Sequence, residues 1–135
     1  MTSRSCAPEY LVENMTRGIT LATNIRLASD SAQRRRGLLG INQLATGAGI
    51  WINPCEAVHT FGMRIALDAV FLDDKLRVKK VSAHLKPRRI ALCLSATSVL
   101  ELGAGAAAAT QAGDQLCFIK AGTAKETHSP VDKQA

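Results

Sequence analysis

Short apolar runs separated by turn residues limit the folds open to this chain more than any other feature of its sequence. Leu67–Leu72 is apolar except for Asp68, Asp73-Asp74-Lys75 follows as a tight turn, and Leu76–Leu85 returns as its partner. Runs of this length, bounded by turn residues, suit strands better than helices. In the returning segment Leu76 and Val78 lie on one parity, and Val81, Ala83 and Leu85 on the other. That slip predicts a β-bulge at Lys79-Lys80, with both lysines in solvent and Val78 and Val81 inside. Leu11-Val12 begins a short strand before a turn at Thr16-Arg17-Gly18, and Ile19, Leu21, Thr23, Ile25 and Leu27 alternate onto one face of the next strand. Ile50–Ile52, Ala57–Phe61, Val99–Leu102 and Leu116–Lys120 supply further short strands, and Lys86–Arg89 reads as a loop. One helix is expected over Ser31–Leu39, because Asp30 and Gln33 form a capping box and Gly40 supplies a left-handed stop. The pattern predicts a mainly β fold: a compact, single-domain β sandwich or barrel-like structure with one short helix.

With 135 residues, 47% of them apolar and 21% charged, the chain has enough material for one core and too little polarity for wholesale disorder. No repeat period suggests a solenoid. Aromatic residues make up only 4%, so Leu, Val, Ile and Ala must build that core. The expected organisation is a flexible N-terminus over 1–8, a β-rich domain over 9–122 and a disordered polar tail over 123–135. Met1–Gly18 has charges throughout and no apolar run of the secretory-signal kind. Ile90–Ala109 carries a single charge, Glu101, but that charge sits mid-span and the second half is mostly Ala and Gly. A buried strand followed by an Ala-rich turn explains it better than membrane insertion. The expected location is cytoplasmic.

The formal net charge is +6, concentrated at Arg34-Arg35-Arg36, Lys79-Lys80, and Lys86, Arg88 and Arg89. A basic interaction module is one reading of these clusters, and a solvated surface is the more ordinary one. They lack the interleaved aromatics that stack on bases, so a nucleic-acid partner is not expected. Cys6, Cys55, Cys93 and Cys117 are widely spaced with no C-x-x-C pair, so neither a metal site nor a disulfide is expected. Cys93 and Cys117 read as small buried hydrophobes.

Three segments carry a family resemblance: Arg36-Gly37-Leu38-Leu39-Gly40; Trp51 through Arg64 with its His-Thr-Phe-Gly-Met core, continuing into Leu67–Asp73; and Val99–Leu102 followed by Gly105 and Gly113-Asp114. Together they resemble domain-of-unknown-function family 192, small uncharacterised bacterial and archaeal proteins, over roughly Ile19 to Lys120. The resemblance implies a mainly β domain with a short helix, and brings no activity, cofactor or catalytic residue. Ala66 and Gly103 stand where that pattern usually has Pro, and Arg88 replaces a common Trp, changes that loosen two loops.

The candidate chemistry centres on Cys55, His59 and Asp68. Cys55 and His59 lie about 13 Å apart if the chain is extended, so only a bend after Pro54 joins them. A thiol with an ordinary pKa near ~8.5 also needs a neighbouring base to be nucleophilic. The plainer reading is a half-buried thiol and a backbone-bonded imidazole. Asp68 interrupts an apolar strand and must be paired, with Arg64, Arg36 or a nest of backbone amides as partners. That reading makes it a structural carboxylate, and Glu101 poses the same question. Trp51, Met63, Arg64 and Glu101 are candidate ligand-binding residues. Neither a phosphate loop nor a nucleophile elbow is present, so no cofactor is expected. The leading functional reading is a small binding or accessory domain with a shallow site near Trp51, Cys55, His59, Met63 and Asp68, its partner a small molecule or a protein. The alternative is a thiol- or acid/base-assisted hydrolase using Cys55, His59 and Asp68.

Overall fold

Two hydrophobic cores lie on opposite faces of one curled sheet, and the strand sequences explain why both faces are covered. The structure, a computed structural model, describes residues 9–121 and the pair Thr127–His128. In chain order the elements are β1 (Glu9–Asn14), β2 (Ile19–Ala28), α1 (Ser31–Arg36), β3 (Ala48–Ile52), β4 (Ala57–His59), β5 (Leu67–Leu72), β6 (Val78–Leu85), β7 (Ile90–Leu92), β8 (Ser98–Gly103), β9 (Leu116–Lys120) and β10 (Thr127–His128). One sheet runs β10-β9-β1-β2-β3-β8-β5-β6, and β4 and β7 form a separate two-stranded ribbon. The fold is mainly β with one short helix, the sheet curling into a half-barrel rather than closing as a sandwich. The expected N-terminal segment 1–8 and most of the expected tail 123–135 lie outside the described residues. Within that tail Thr127–His128 pairs with β9.

β3, β8 and β5 are interior neighbours in the sheet, and every residue of β5 is buried. Such strands alternate between two cores instead of between core and water. Trp51, Val70, Leu72, Leu100 and Leu102 join Tyr10, Ile25 and Phe118 in one core. Ile50, Ile52, Leu67, Ala69, Phe71 and Val99 join Leu38, Val58, Met63 and Ala91 in the other. Leu38, just past α1, and the ribbon residues Val58 and Ala91 cover this second core. β2 and β3 are parallel, with α1 in the crossover between them. Both strands therefore end, at Ala28 and Ile52, toward the side where α1 and Pro54 lie.

The bulge at Lys79-Lys80 is present. Phe71 pairs with Lys80 and Leu72 with Val78, leaving Lys79 unpaired. Both lysines are exposed, Val78 is buried and Val81 is half-buried against the core. A second irregularity separates Leu67↔Leu85 from Ala69↔Ser82, and His84 there takes φ 52°. Strict alternation in β2 fails for the same kind of reason. Val12 pairs with Ala22 and Glu13 with Thr20, so the slip at Leu21 leaves Ile19 and Thr23 exposed.

α1 is shorter than expected. Its start is the capping box: Gln33 N–H donates to Asp30 Oδ1 at 2.7 Å, and Asp30 N–H to Gln33 Oε1 at 3.2 Å. Its end is Gly37 rather than Gly40. Gly37 adopts φ 49°, and its N–H donates to Gln33 O, so the chain turns three residues early and Leu38 drops into the second core.

Candidate functional site

Three buried carboxylates set the terms for locating a site. Asp68 is fully buried and holds three backbone amides: His84 N–H at 2.8 Å, Gly105 N–H at 3.0 Å and Ala107 N–H at 2.9 Å. It pins the β6 irregularity to the turn after β8. Asp114 accepts from Asn14 Nδ2 at 2.9 Å, Arg17 Nε at 3.0 Å and Gln111 N–H at 3.0 Å. Burial pushes its carboxyl up, but those donors outweigh burial and hold it below the usual range. Glu101 is the exception. It is 4% exposed, and among the described residues nothing donates to its carboxylate or pairs with it. Burial pushes it from an ordinary 4.5 up to about 7.

Register explains where Glu101 points. It pairs with Ile50 on β3 and Ala69 on β5, so it shares the face of the second core. A Cβ at Gly37 would sit 3.6 Å from Glu101 Oε1, so the carboxylate reaches the chain just where α1 ends. There it forms part of the wall of a cavity of about 330 Å³. Arg34, Arg35 and Arg36 approach from α1; Leu38, Ile52, Val58 and Met63 give apolar walls; Cys55 and His59 complete it from the ribbon side. A shallower surface continues outward over Arg35, Arg36, Leu39 and His59.

Cys55 and His59 thus meet at one cavity, but neither engages the other. Cys55 is held by Thr97, its N–H donating to the Thr97 carbonyl at 2.8 Å. Its thiol donates to the Ala57 carbonyl at 3.1 Å, and burial, the largest influence, pushes the thiol pKa up. The thiolate is therefore disfavoured. His59 is exposed; its Nδ1 accepts the Phe61 N–H at 3.3 Å and its ring lies 5.7 Å from that of Phe61. In the neutral imidazole this leaves Nε2 as the donor. Arg34 Nη1 donates to the Ser29 carbonyl at 2.6 Å. The single ion pair among the described residues is Arg17–Asp114, so the three cavity arginines have no carboxylate partner there.

Several candidate residues lie elsewhere. Trp51 is buried in the first core, where Nε1 donates to Ser98 Oγ at 2.9 Å and the ring packs 4.1 Å from Phe118. It alternates to the opposite face from Ile50 and Ile52 and cannot line this cavity. Asp68 shares that opposite face, paired with Leu102 rather than Glu101. Arg64 is exposed and donates to Asn42 Oδ1 at 3.1 Å, so it is not the partner of Asp68. Lys86, Arg88 and Arg89 are exposed in the loop that Thr60 ties down, its hydroxyl donating to the Lys86 carbonyl at 2.6 Å and accepting the Arg89 N–H at 2.7 Å. Cys117 is buried as expected, Cys93 only half-buried, and neither is in a disulfide. Three wall-forming residues, Leu38, Ile52 and Val58, carry no site signal in the sequence, where they read as ordinary core residues.

The model of domain-of-unknown-function family 192, described as "Uncharacterized ACR", matches residues 12–118. A search of the curated proteins finds no match. A crystal structure of a Sinorhizobium meliloti 1021 protein, provisionally described as a transcription regulator, is similar at 24% identity and TM-score 0.75, covering 90% of this chain and 100% of that one. A Novosphingobium aromaticivorans DSM 12444 protein of unknown function is similar at 23% identity and TM-score 0.70, covering 82% of this chain and 84% of that one. At these identities the likeness establishes the shared fold.

Proposed function

The chain belongs to domain-of-unknown-function family 192, which supplies no activity, and from that premise we propose on the chain's own geometry that it is a small-molecule-binding domain. The ligand occupies the cavity between α1 and the Pro54–His59 segment. One observation carries this reading: among the described residues Glu101 is buried against the cavity without a single donor, while Asp68 and Asp114 have three each. A buried polar group without partners costs about 1–3 kcal/mol, more when charged, and stability alone gives no reason to retain it. A ligand that supplies the missing hydrogen bond does.

The hydrolase reading has less support. Asp68 is committed to backbone amides on the other face, and the Cys55 thiol is donated to a carbonyl. The regulator description of the Sinorhizobium protein would call for a nucleic-acid surface. Here α1, the one helix among the described residues, spans six residues, and its arginines line a cavity, which favours a ligand site.

The test combines stability and binding. Glu101→Leu should raise the melting temperature at pH 8, since it removes an unsatisfied buried acid. ¹⁵N-labelled protein screened against small polar metabolites should show shifts confined to amides near Leu38, Cys55, His59 and Glu101. Met63→Trp, which fills the cavity, should abolish them. A lower melting temperature for Glu101→Leu, with no compound shifting those amides, would overturn the reading.

A further inference from the structure

Resting on the binding reading above, we infer that the ligand is a small oxyanion, a carboxylate or phosphate monoester, whose charged end meets the arginines of α1 and whose far end carries a hydroxyl or carbonyl that bonds to Glu101. The mouth of the cavity is rich in donors. Arg34, Arg35 and Arg36 offer only N–H donors and have no carboxylate partner among the described residues. His59 uses Nδ1 to accept the Phe61 N–H, which leaves Nε2–H to donate. The Cys55 thiol is spent on the Ala57 carbonyl and offers the ligand no acceptor of comparable strength. Glu101, at the buried end, is pushed by burial up to about 7, so near neutral pH it meets a ligand hydroxyl as a carboxylate that accepts or as a carboxylic acid that donates. A cavity whose arginines and His59 present donors at its mouth, with Glu101 alone at its buried end, selects a ligand with an acceptor-rich charged end and a single polar group at the other.

The positions of those donors add shape to the chemistry. The arginines are exposed or half-exposed along α1, where the cavity opens, whereas Glu101 is buried. Between them Ile52, Val58 and Met63 present only apolar surface. A matching molecule carries charge at one end, a short apolar body, and a neutral polar group at the other. A volume of about 330 Å³ sits at the small end of ligand sites, which suits a metabolite rather than a dinucleotide. A cationic ligand would instead face three guanidinium groups on entry.

Matched probes test this on the full chain by NMR titration. The set is ω-hydroxy carboxylates of four to six carbons, the same acids without the hydroxyl, the corresponding diols, and ω-amino alcohols. Glycerol 3-phosphate beside them separates a phosphate from a carboxylate preference, either of which supports the inference. The hydroxy acids should bind at least tenfold more tightly than the diols. Arg35→Gln/Arg36→Gln should erase that advantage while leaving diol binding unchanged. Glu101→Leu should erase the difference between hydroxy acid and plain acid, while the arginine-dependent advantage over diols persists. Tightest binding of the diols or amino alcohols, insensitive to the arginine variant, would overturn the oxyanion assignment yet leave the cavity as a binding site. No shift with any probe, together with the failed screen described above, would remove both.

Discussion

Glu101, Asp68 and Asp114 are carboxylates in one small protein with opposite surroundings, and their substitutions should separate accordingly. Glu101 has a folded-state pKa near 7 against an ordinary 4.5, so the folded protein binds more protons than the unfolded chain between those values. Its contribution is fully present below about 4.5 and is lost as pH rises through about 7. The loss is on the order of 3 kcal/mol. The charged and titratable groups around it are Arg34, Arg35 and Arg36 from α1 and Cys55 and His59 from the ribbon side; β3 and β5 contribute Ile50 and Ala69. Urea denaturation from pH 4 to 8 should therefore show wild type losing stability relative to Glu101→Gln as pH rises. A constant difference would count against a buried, unpartnered acid. Asp68→Asn should behave differently: the amide cannot accept from both sides of its site, and one NH₂ must face backbone N–H groups. A cost of about 2–3 kcal/mol is expected, read as a lower melting temperature with the cavity's amide resonances unmoved.

At the scale of elements, what the sequence revealed depended on whether a strand has one covered face or two. β5 and β9 begin and end where their apolar runs do, and the β6 bulge was legible because a lysine pair broke the parity. In β3 and β8 every alternation leads from one core to the other, so nothing in Ile50-Trp51-Ile52 says which residue faces a cavity. Trp51 and Asp68 therefore read as site candidates in the sequence yet lie on the opposite face, whereas Cys55, His59, Met63, Glu101 and the arginines meet. α1 ends earlier than its sequence pattern suggests for a local reason: Gly37 and Gly40 both adopt positive φ, and the earlier one ends the helix. Gly49 shows how tightly β3 and β8 are joined beneath the site. A Cβ there would collide with the Glu101 carbonyl and lie 2.9 Å from Leu102 Cδ2. Gly49→Ala should cost about 1–3 kcal/mol in denaturant unfolding and shift the Glu101 and Leu102 amide resonances.

Across the whole molecule the cavity draws on regions far apart in the chain: residues 31–39 from the β2–β3 crossover, 52–63 from the ribbon side, and Glu101 from the centre of the sheet. These regions differ in how firmly they are held. β8 is hydrogen-bonded on both edges and buried on both faces, whereas β4 and β7 pair only with each other. The ribbon tucks Val58 and Ala91 inward and leaves Ile90, Leu92 and the following Leu94 at 65%, 47% and 74% exposure. Amide hydrogen exchange should find Val58 and Ala91 opening well before Val70 and Leu100, and comparable protection would contradict this. The ribbon carries His59 and Val58, so its opening removes one wall of the cavity while Glu101 stays in place. How long a ligand stays bound is then governed by a timescale belonging to the protein. Ala91→Gly, at a residue outside the cavity lining that pairs with Val58, should shorten residence while the ligand's contacts remain what they were.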